Sequence, residues 1–244
     1  MDVETAARTD PGRVRDHNED SVLVTERAGR PLFAVADGMG GHSAGDVASE
    51  VALAAFADAA AEEFEAGAAT DAALAAAARE ANAAVREAAR DGRGEEGMGT
   101  TLVAACLDGG TATLVNVGDS RAYHVTPEGI EQVTVDQSMV QELVDEGVID
   151  PEEAADHPQR NVVSQALGTA ESVDPDVYEV SLDGVLLLCS DGLPEEVPES
   201  EIREVIAEVG GSDAGLDAVA DALVARANDH GGSDNISVVL AERA

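Results

Sequence analysis

The chain has no lysine and no tryptophan, and its aromatic side chains are limited to three phenylalanines and two tyrosines. All 14 cationic side chains are arginines. P-loop nucleotidases and protein kinases both hold phosphates with a lysine, so both are excluded. The arginines form no stripe that would meet a nucleic-acid backbone, and the same poverty of cations disfavours an anionic membrane surface. No stretch approaches the about 20 apolar residues of a membrane span. Met1-Asp2-Val3-Glu4 lacks the basic and apolar regions of a signal peptide, so a soluble cytoplasmic protein is expected. The two cysteines, Cys106 and Cys189, lie in apolar runs and read as buried free thiols. Neither opens a C-x₅-R phosphatase loop, because Ala112 and Glu195 stand where the arginine is required.

What is abundant is acid. The chain carries 50 aspartates and glutamates for a net charge of −36. They are spread between apolar runs rather than gathered in a tail, which suggests a folded, self-repelling surface suited to a salt-rich cytoplasm. At about 1 M salt the Debye length is roughly 3 Å, and most of that repulsion vanishes. A length of 244 residues with 44% hydrophobic content suits one globular domain spanning 1–244. With so few aromatics, its core has to be alanine, valine and leucine.

Periodicity predicts strands at Ser21–Glu26 and Leu32–Ala36, then helices at 43–66 and Thr70–Arg90, the second with Thr70 as N-cap. Ala48, Ala52, Phe56, Ala60 and Phe64 form one buried column of the first helix, and Leu74, Ala78, Ala81, Val85 and Ala88 that of the second. Strands follow at Thr100–Leu107, Thr111–Val117, Arg121–Val125 and Ile130–Val135, with turns short enough for antiparallel hairpins. Short helices are expected at Ser138–Glu146 and 151–156, with Asp150 capping the latter and Pro151 at its first turn. The remainder reads as strands Val177–Val180 and Val185–Ser190, helices near Glu199–Val209 and 213–229, and a last strand Asn235–Ala241. The fold class is α+β, a layered sandwich of antiparallel sheets and paired helices.

Aspartates recur where strands begin or end. Asn18-Glu19-Asp20 precedes one strand, Asp37-Gly38 ends the next, Ser190-Asp191-Gly192 ends a very apolar one, and Ser233-Asp234-Asn235 opens the last. An Asp-Gly pair alone is an ordinary turn signal. Several at the ends of neighbouring strands would make a cluster of carboxylates that cannot all ionise without a cation among them. Oxygen-only ligands select Mg²⁺, Mn²⁺ or Ca²⁺ over Zn²⁺. Arg15 offers a planar fork for phosphate, the alternative being a surface arginine paired with Asp16.

Arg15-Asp16-His17-Asn18-Glu19-Asp20, Asp37-Gly38-Met39-Gly40-Gly41-His42, Gly99-Thr100-Thr101, Gly118-Asp119-Ser120-Arg121, Ser190-Asp191-Gly192 and Gly232-Ser233-Asp234-Asn235 occur in that order. From about Thr9 to Ala241 the chain resembles the metal-dependent PP2C-type (PPM) serine/threonine protein phosphatases in their compact prokaryotic form. The resemblance implies a four-layer α-β-β-α sandwich with two central antiparallel sheets and two Mg²⁺ or Mn²⁺ ions at one end. It implies that Asp37 bridges both ions, with the Gly38 carbonyl on one and Asp191 and Asp234 on the other. Glu19, Asp20 and Asn235 then support from behind, Asp119 matches a third, weaker metal position, and Arg15 holds the substrate phosphate. His42 matches the general acid for the leaving oxygen, a task suited to an imidazole titrating near ~6.5. Residues Met139 to Leu167 correspond to a variable flap beside the cleft. The implied partners are phosphorylated proteins and a cognate serine/threonine kinase, with the chain acting as a monomer. Pro194-Glu195-Glu196 departs from the family, where a small polar residue and then aspartate are common.

Two rivals come from other classes. A catalytically idle relative would bind phosphoproteins as an adaptor. Gly41-His42-Ser43-Ala44-Gly45 also spells a nucleophile elbow, with Asp191 and His230 downstream as partners for Ser43. Against the elbow, Asp37-Gly38-Met39-Gly40 separates it from its strand and no oxyanion segment is present.

Overall fold

An apolar run as unbroken as Leu32–Ala36 needs cover on both faces, and four layers supply it. The computed structural model describes residues 3–40, 44–154, 157–210 and 215–243. In chain order they form β1 (Val3–Asp10), β2 (Ser21–Arg27), β3 (Arg30–Ala36), β4 (Gly38–Met39), α1 (Ala44–Glu65), α2 (Thr70–Arg90), β5 (Gly99–Thr100), β6 (Leu102–Asp108), β7 (Thr111–Val117), β8 (Arg121–Val125), β9 (Ile130–Gln132), α3 (Met139–Asp145), α4 (Pro151–Ala154), β10 (Asp176–Ser181), β11 (Val185–Cys189), α5 (Glu199–Gly210), α6 (Gly215–His230) and β12 (Ile236–Arg243). One antiparallel sheet has the order β1-β12-β11-β8-β9 and the other β10-β7-β6-β3-β2.

Side chains alternate along each strand, so the layers can be read residue by residue. On β3, Leu32, Ala34 and Ala36 pack against α1 and α2, while Phe33 and Val35 turn inward to meet Leu186, Leu188 and Val239 of the opposite sheet. On β11, Leu187 and Cys189 face outward to Ile202 of α5 and Leu223 of α6. Three cores between four layers make the α-β-β-α sandwich. The predicted columns of α1 and α2 are all buried. Full burial of a large apolar side chain stabilises by roughly 1.5–3 kcal/mol, so Phe56 and Leu74, both fully buried, contribute most to an interface rich in alanine. Both cysteines are free and buried, as expected, and burial pushes their thiols up to about 11 and about 12 for Cys106 and Cys189.

The structure departs from the periodic reading in four places. Val3–Asp10, where no element is predicted, is an edge strand paired with β12 from Val3↔Arg243 to Asp10↔Ile236. Thr70 is not the N-cap of α2: Ala69 holds that position without a side-chain cap, and the Thr70 hydroxyl accepts instead from Arg30 at 2.7 Å. The strand expected at Thr100–Leu107 is interrupted at Thr101, with β5 pairing to β4 in a separate two-stranded ribbon. Most important, Gly118-Asp119-Ser120 is no hairpin. β7 lies in one sheet and β8 in the other, so this turn carries the chain across the sandwich. Of the short helices, α3 is capped by the Ser138 hydroxyl, and ahead of α4 the Asp150 N–H donates to the Glu153 carboxylate at 2.9 Å.

Candidate active site

Asp37 stands just past β3, and both of its backbone groups are fixed from β5 and β6. Its N–H donates to the Thr101 hydroxyl at 3.0 Å, and its carbonyl accepts from the Thr101 N–H at 2.9 Å and the Thr100 hydroxyl at 2.8 Å. The next residue has to be glycine, because a Cβ on Gly38 would lie 2.1 Å from the Gly45 carbonyl oxygen and 2.5 Å from that of Glu19. This close approach draws Glu19 to the site, its carboxylate packed on Gly45 at the start of α1.

Asn235 stitches the polar loop before β2 to the start of β12. Its side-chain oxygen accepts from the Glu19 N–H at 2.8 Å, and its amide donates to the carbonyls of His17 at 2.9 Å and Pro11 at 3.1 Å. Gly192 does the same for the end of β11: a Cβ there would fall 2.0 Å from the Asn235 carbonyl, so Asp191 is set beside Asp234. Asp234 accepts from its neighbour's N–H at 2.8 Å and from Arg15 at 2.5 Å. Asp20 is buried and accepts from the Ser190 hydroxyl at 2.7 Å, which in turn accepts from the Ser237 N–H at 3.0 Å.

Carboxylates separated by more than two hundred residues of sequence therefore meet at one end of the sandwich, and their electrostatics record it. Burial, then Asp20, Asp191, Asp119 and Asp234 hold the Asp37 carboxyl well above the usual range. Asp191 is raised likewise by burial, then by Asp119, Glu195, Asp234 and Asp20. Burial lifts Asp20 to about 6 against the hydrogen bonds from Ser190 and Ser237, with Asp234 adding to the rise. Asp119 also reaches about 6, through burial and then Asp136, with Arg121 opposing. Arg121 is engaged elsewhere, in an ion pair with Asp136 at 2.6 Å and a bond to the Tyr123 hydroxyl at 3.1 Å.

Among the described residues no three carboxylates close around a single point, so the cluster is an open set of oxygens rather than a finished cage. It nonetheless fits hydrated divalent cations, which keep several waters and take only one or two carboxylates each. One oxygen of Asp20 and one of Asp191 are buried without a hydrogen-bond partner. Uncompensated carboxylate oxygens facing like charges are what a hard cation neutralises.

Beside Asp119 and Asp191 opens a cavity of about 600 Å³. Val140 and Val144 of α3 and Pro151 of α4 line one wall, Glu195 and Arg160 another. The segment read as a flap thus does border the carboxylates.

Glu19, Asp20, Asp37, Gly38, Asp119, Asp191, Asp234, Asn235 and Arg15 are brought to this end of the molecule. His42 and Ser43 lie outside the described residues. His230 does not join Asp191 as the hydrolase reading required: its Nδ1 meets the Glu196 carbonyl at 2.8 Å. Sequence reasoning missed the hydroxyls that hold the acids, namely Thr101, Ser120, Ser190 and Ser237. The first three lie inside motifs that were singled out, and the signal was a hydroxyl residue beside each glycine or aspartate.

Comparison with known proteins agrees with this geometry. Residues 13–225 match the family model described as protein phosphatase 2C. The serine/threonine phosphatase stp of Listeria monocytogenes is 42% identical over 97% of this chain and 94% of its own. The crystal structure of the Mycobacterium tuberculosis serine/threonine phosphatase PstP/Ppp superposes with a TM-score of 0.86 at 40% identity, covering 98% of both chains. The catalytic domain of PstP in complex with two manganese ions gives a TM-score of 0.83 at 39% identity, covering 98% of this chain and 97% of that one. On fold, motif order and near-complete coverage, the chain belongs to the protein phosphatase 2C family.

Proposed function

We propose that this chain is a metal-dependent protein phosphatase that hydrolyses phosphoserine and phosphothreonine without a covalent phosphoenzyme. The observation that carries the reading is the gathering of buried Asp20 with half-buried Asp37, Asp119 and Asp191, each raised by burial and then by its acidic neighbours, with partnerless oxygens on Asp20 and Asp191. The relatives' names and the two manganese ions of one of them support it.

Asp37, the Gly38 carbonyl, Asp191 and Asp234 would hold two Mg²⁺ or Mn²⁺ ions, and Asp119 a third, weaker one. When bound, such a pair lowers the pKa of water and neutralises charge on the phosphoryl oxygens. The chain's own residues do the rest. Glu19 and Asp20 accept hydrogen bonds from water at the rear of the site. Arg15 is half exposed and, among the described residues, bonds through one nitrogen to Asp234, so the rest of its fork is presented to a phosphate. Ser190 keeps one Asp20 oxygen occupied and the other free. His42 is assigned on its motif alone as the donor of a proton to the leaving seryl or threonyl oxygen.

Phosphorylated proteins are the proposed substrates, with a cognate serine/threonine kinase as the source of the phosphate. We read the chain as a monomer of a salt-rich cytoplasm. No described helix is long and apolar enough to cross a membrane, and the acidic surface supports the salt. The test is release of phosphate from phosphoserine and phosphothreonine peptides in high salt with Mn²⁺ or Mg²⁺. Turnover that needs the metal and disappears in Asp37→Asn supports the enzyme. Tight phosphopeptide binding without turnover in the loaded wild type contradicts it and favours the adaptor.

A further inference from the structure

One side chain touches both halves of the carboxylate cluster without contributing a carboxylate. Thr101 is buried at the break between β5 and β6. Its hydroxyl accepts from the Asp37 N–H at 3.0 Å and shares a hydrogen bond of 2.7 Å with the Ser120 hydroxyl, itself fully buried. Its methyl packs where Gly118 comes closest: a Cβ on Gly118 would lie 2.7 Å from it, and Gly118 adopts a φ of 103° that also favours glycine.

Asp37 rides on β3 in one sheet, and Asp119 lies in the turn that crosses to the other. Strand pairing links β3 to β7 through β6 only as far as Val35↔Val103 and Leu102↔Val117, which stops short of both acids. A hydroxyl bonded to both sides spans the remaining gap, because each bond is directional and Thr101 and Ser120 are themselves buried.

We propose that Thr101 is the positioning residue of the site, setting the Asp37–Gly38 peptide against the Gly118-Asp119-Ser120 crossing so that Asp37 and Asp119 face a common cation environment. The inference rests on the phosphatase reading only for which cation to use as probe. Valine has nearly the same shape as threonine, so Thr101→Val removes the hydroxyl alone. It leaves the Asp37 N–H and the Ser120 hydroxyl buried and unpaired. Thr101→Ser does the converse, keeping the hydroxyl and dropping the methyl.

The test is Mn²⁺ titration by calorimetry, with the electron paramagnetic resonance signal of bound Mn²⁺ as a second readout, on the full chain in high salt. Loss of an outer hydrogen-bond partner lowers metal affinity by about 10- to 100-fold. That is the loss expected for Thr101→Val, with an altered resonance, while Thr101→Ser retains wild-type affinity. Ser120→Ala weakens binding less, and the double variant Thr101→Val/Ser120→Ala is no worse than Thr101→Val, since both remove one shared bond. Wild-type affinity in Thr101→Val, or equal losses in the valine and serine variants, overturns the proposal, the latter assigning the effect to methyl packing. If Thr101→Val fails to fold, Ser120→Ala against Thr101→Ser decides: weakened binding in the first alone supports the positioning role, and weakened binding in the second alone refutes it. Phosphopeptide turnover by the wild type tests the phosphatase reading separately, so either can fail without the other.

Discussion

Asp221 and Asp37 are the same side chain in opposite surroundings. Asp221, on the solvent face of α6, accepts from Arg8 at 2.6 Å and titrates below the usual carboxylate range because of it. Asp37 is walled in at the end of β3 and driven well above that range by burial and then by four other aspartates. A surface acid loses almost nothing on folding, so a chain of net charge −36 can hold dozens of them. A partly buried group of acids that outnumbers the arginines around it opposes folding. Its presence at the strand ends is explained by what it binds rather than by what it stabilises.

The strongest way to break the contrast is to neutralise one member of each kind. Asp37→Asn should lower metal-dependent turnover by about 10³-fold while raising the melting temperature of the metal-free chain, because a buried like charge is gone. Asp221→Asn should leave turnover unchanged. Phosphate release and thermal melting, run side by side, check both.

Acidity gives the next largest effect, and its sign differs between the two regions. Asp20 and Asp119 titrate at about 6 in the folded chain, against about 3.9 unfolded. The folded state therefore holds more protons in that window. Their stabilising contribution is complete below about pH 4 and lost as the pH rises through about 6. Metal-free protein should melt higher at about pH 5 than at about pH 7.5, and saturating Mn²⁺ should remove the difference by replacing protons with cations. The lowered Asp221 works the other way, its small contribution disappearing as the pH falls below about 4. A melting temperature of the metal-free chain that rises steadily towards neutral pH would contradict the picture of the buried acids.

Salt should act mainly on the exposed acids. Raising KCl from about 0.1 M to about 2 M is expected to raise the melting temperature with or without Mn²⁺, since screening acts most on the many exposed acids. The smallest effect should come from Arg8→Ala, which removes the exposed pairs with Asp217 and Asp221 and shifts melting by about 2 °C or less.

Much of the fold was legible because its signals are local. The columns of α1 and α2 follow from 3.6-residue spacing, and the pairing of β2 with β3 from the short Ala28-Gly29-Arg30-Pro31 turn, whose last two residues the structure adds to β3. β1 escaped notice because its burial is only partial along an edge, so Val3–Asp10 shows little alternation. The crossing at Gly118-Asp119-Ser120 was misread as a hairpin because turn chemistry states that the chain reverses, not which sheet receives it. The acids of the site could be named from their motifs. Their support could not: the bond between Thr101 and Ser120 joins the break between β5 and β6 to the crossing turn, and only the packed sandwich brings them together. The exchange of Thr70 from cap to partner of Arg30 is the same lesson in small, a tertiary contact outranking a local preference.

The most direct test is anomalous diffraction from crystals of the wild-type protein grown with Mn²⁺. Two strong peaks are expected between β3, β11 and β12, both within bonding reach of Asp37, with Asp191 and Asp234 on one of them. Peaks confined to the acidic outer surface, with Asp37 touching none, would contradict a shared pair of cations at the strand ends.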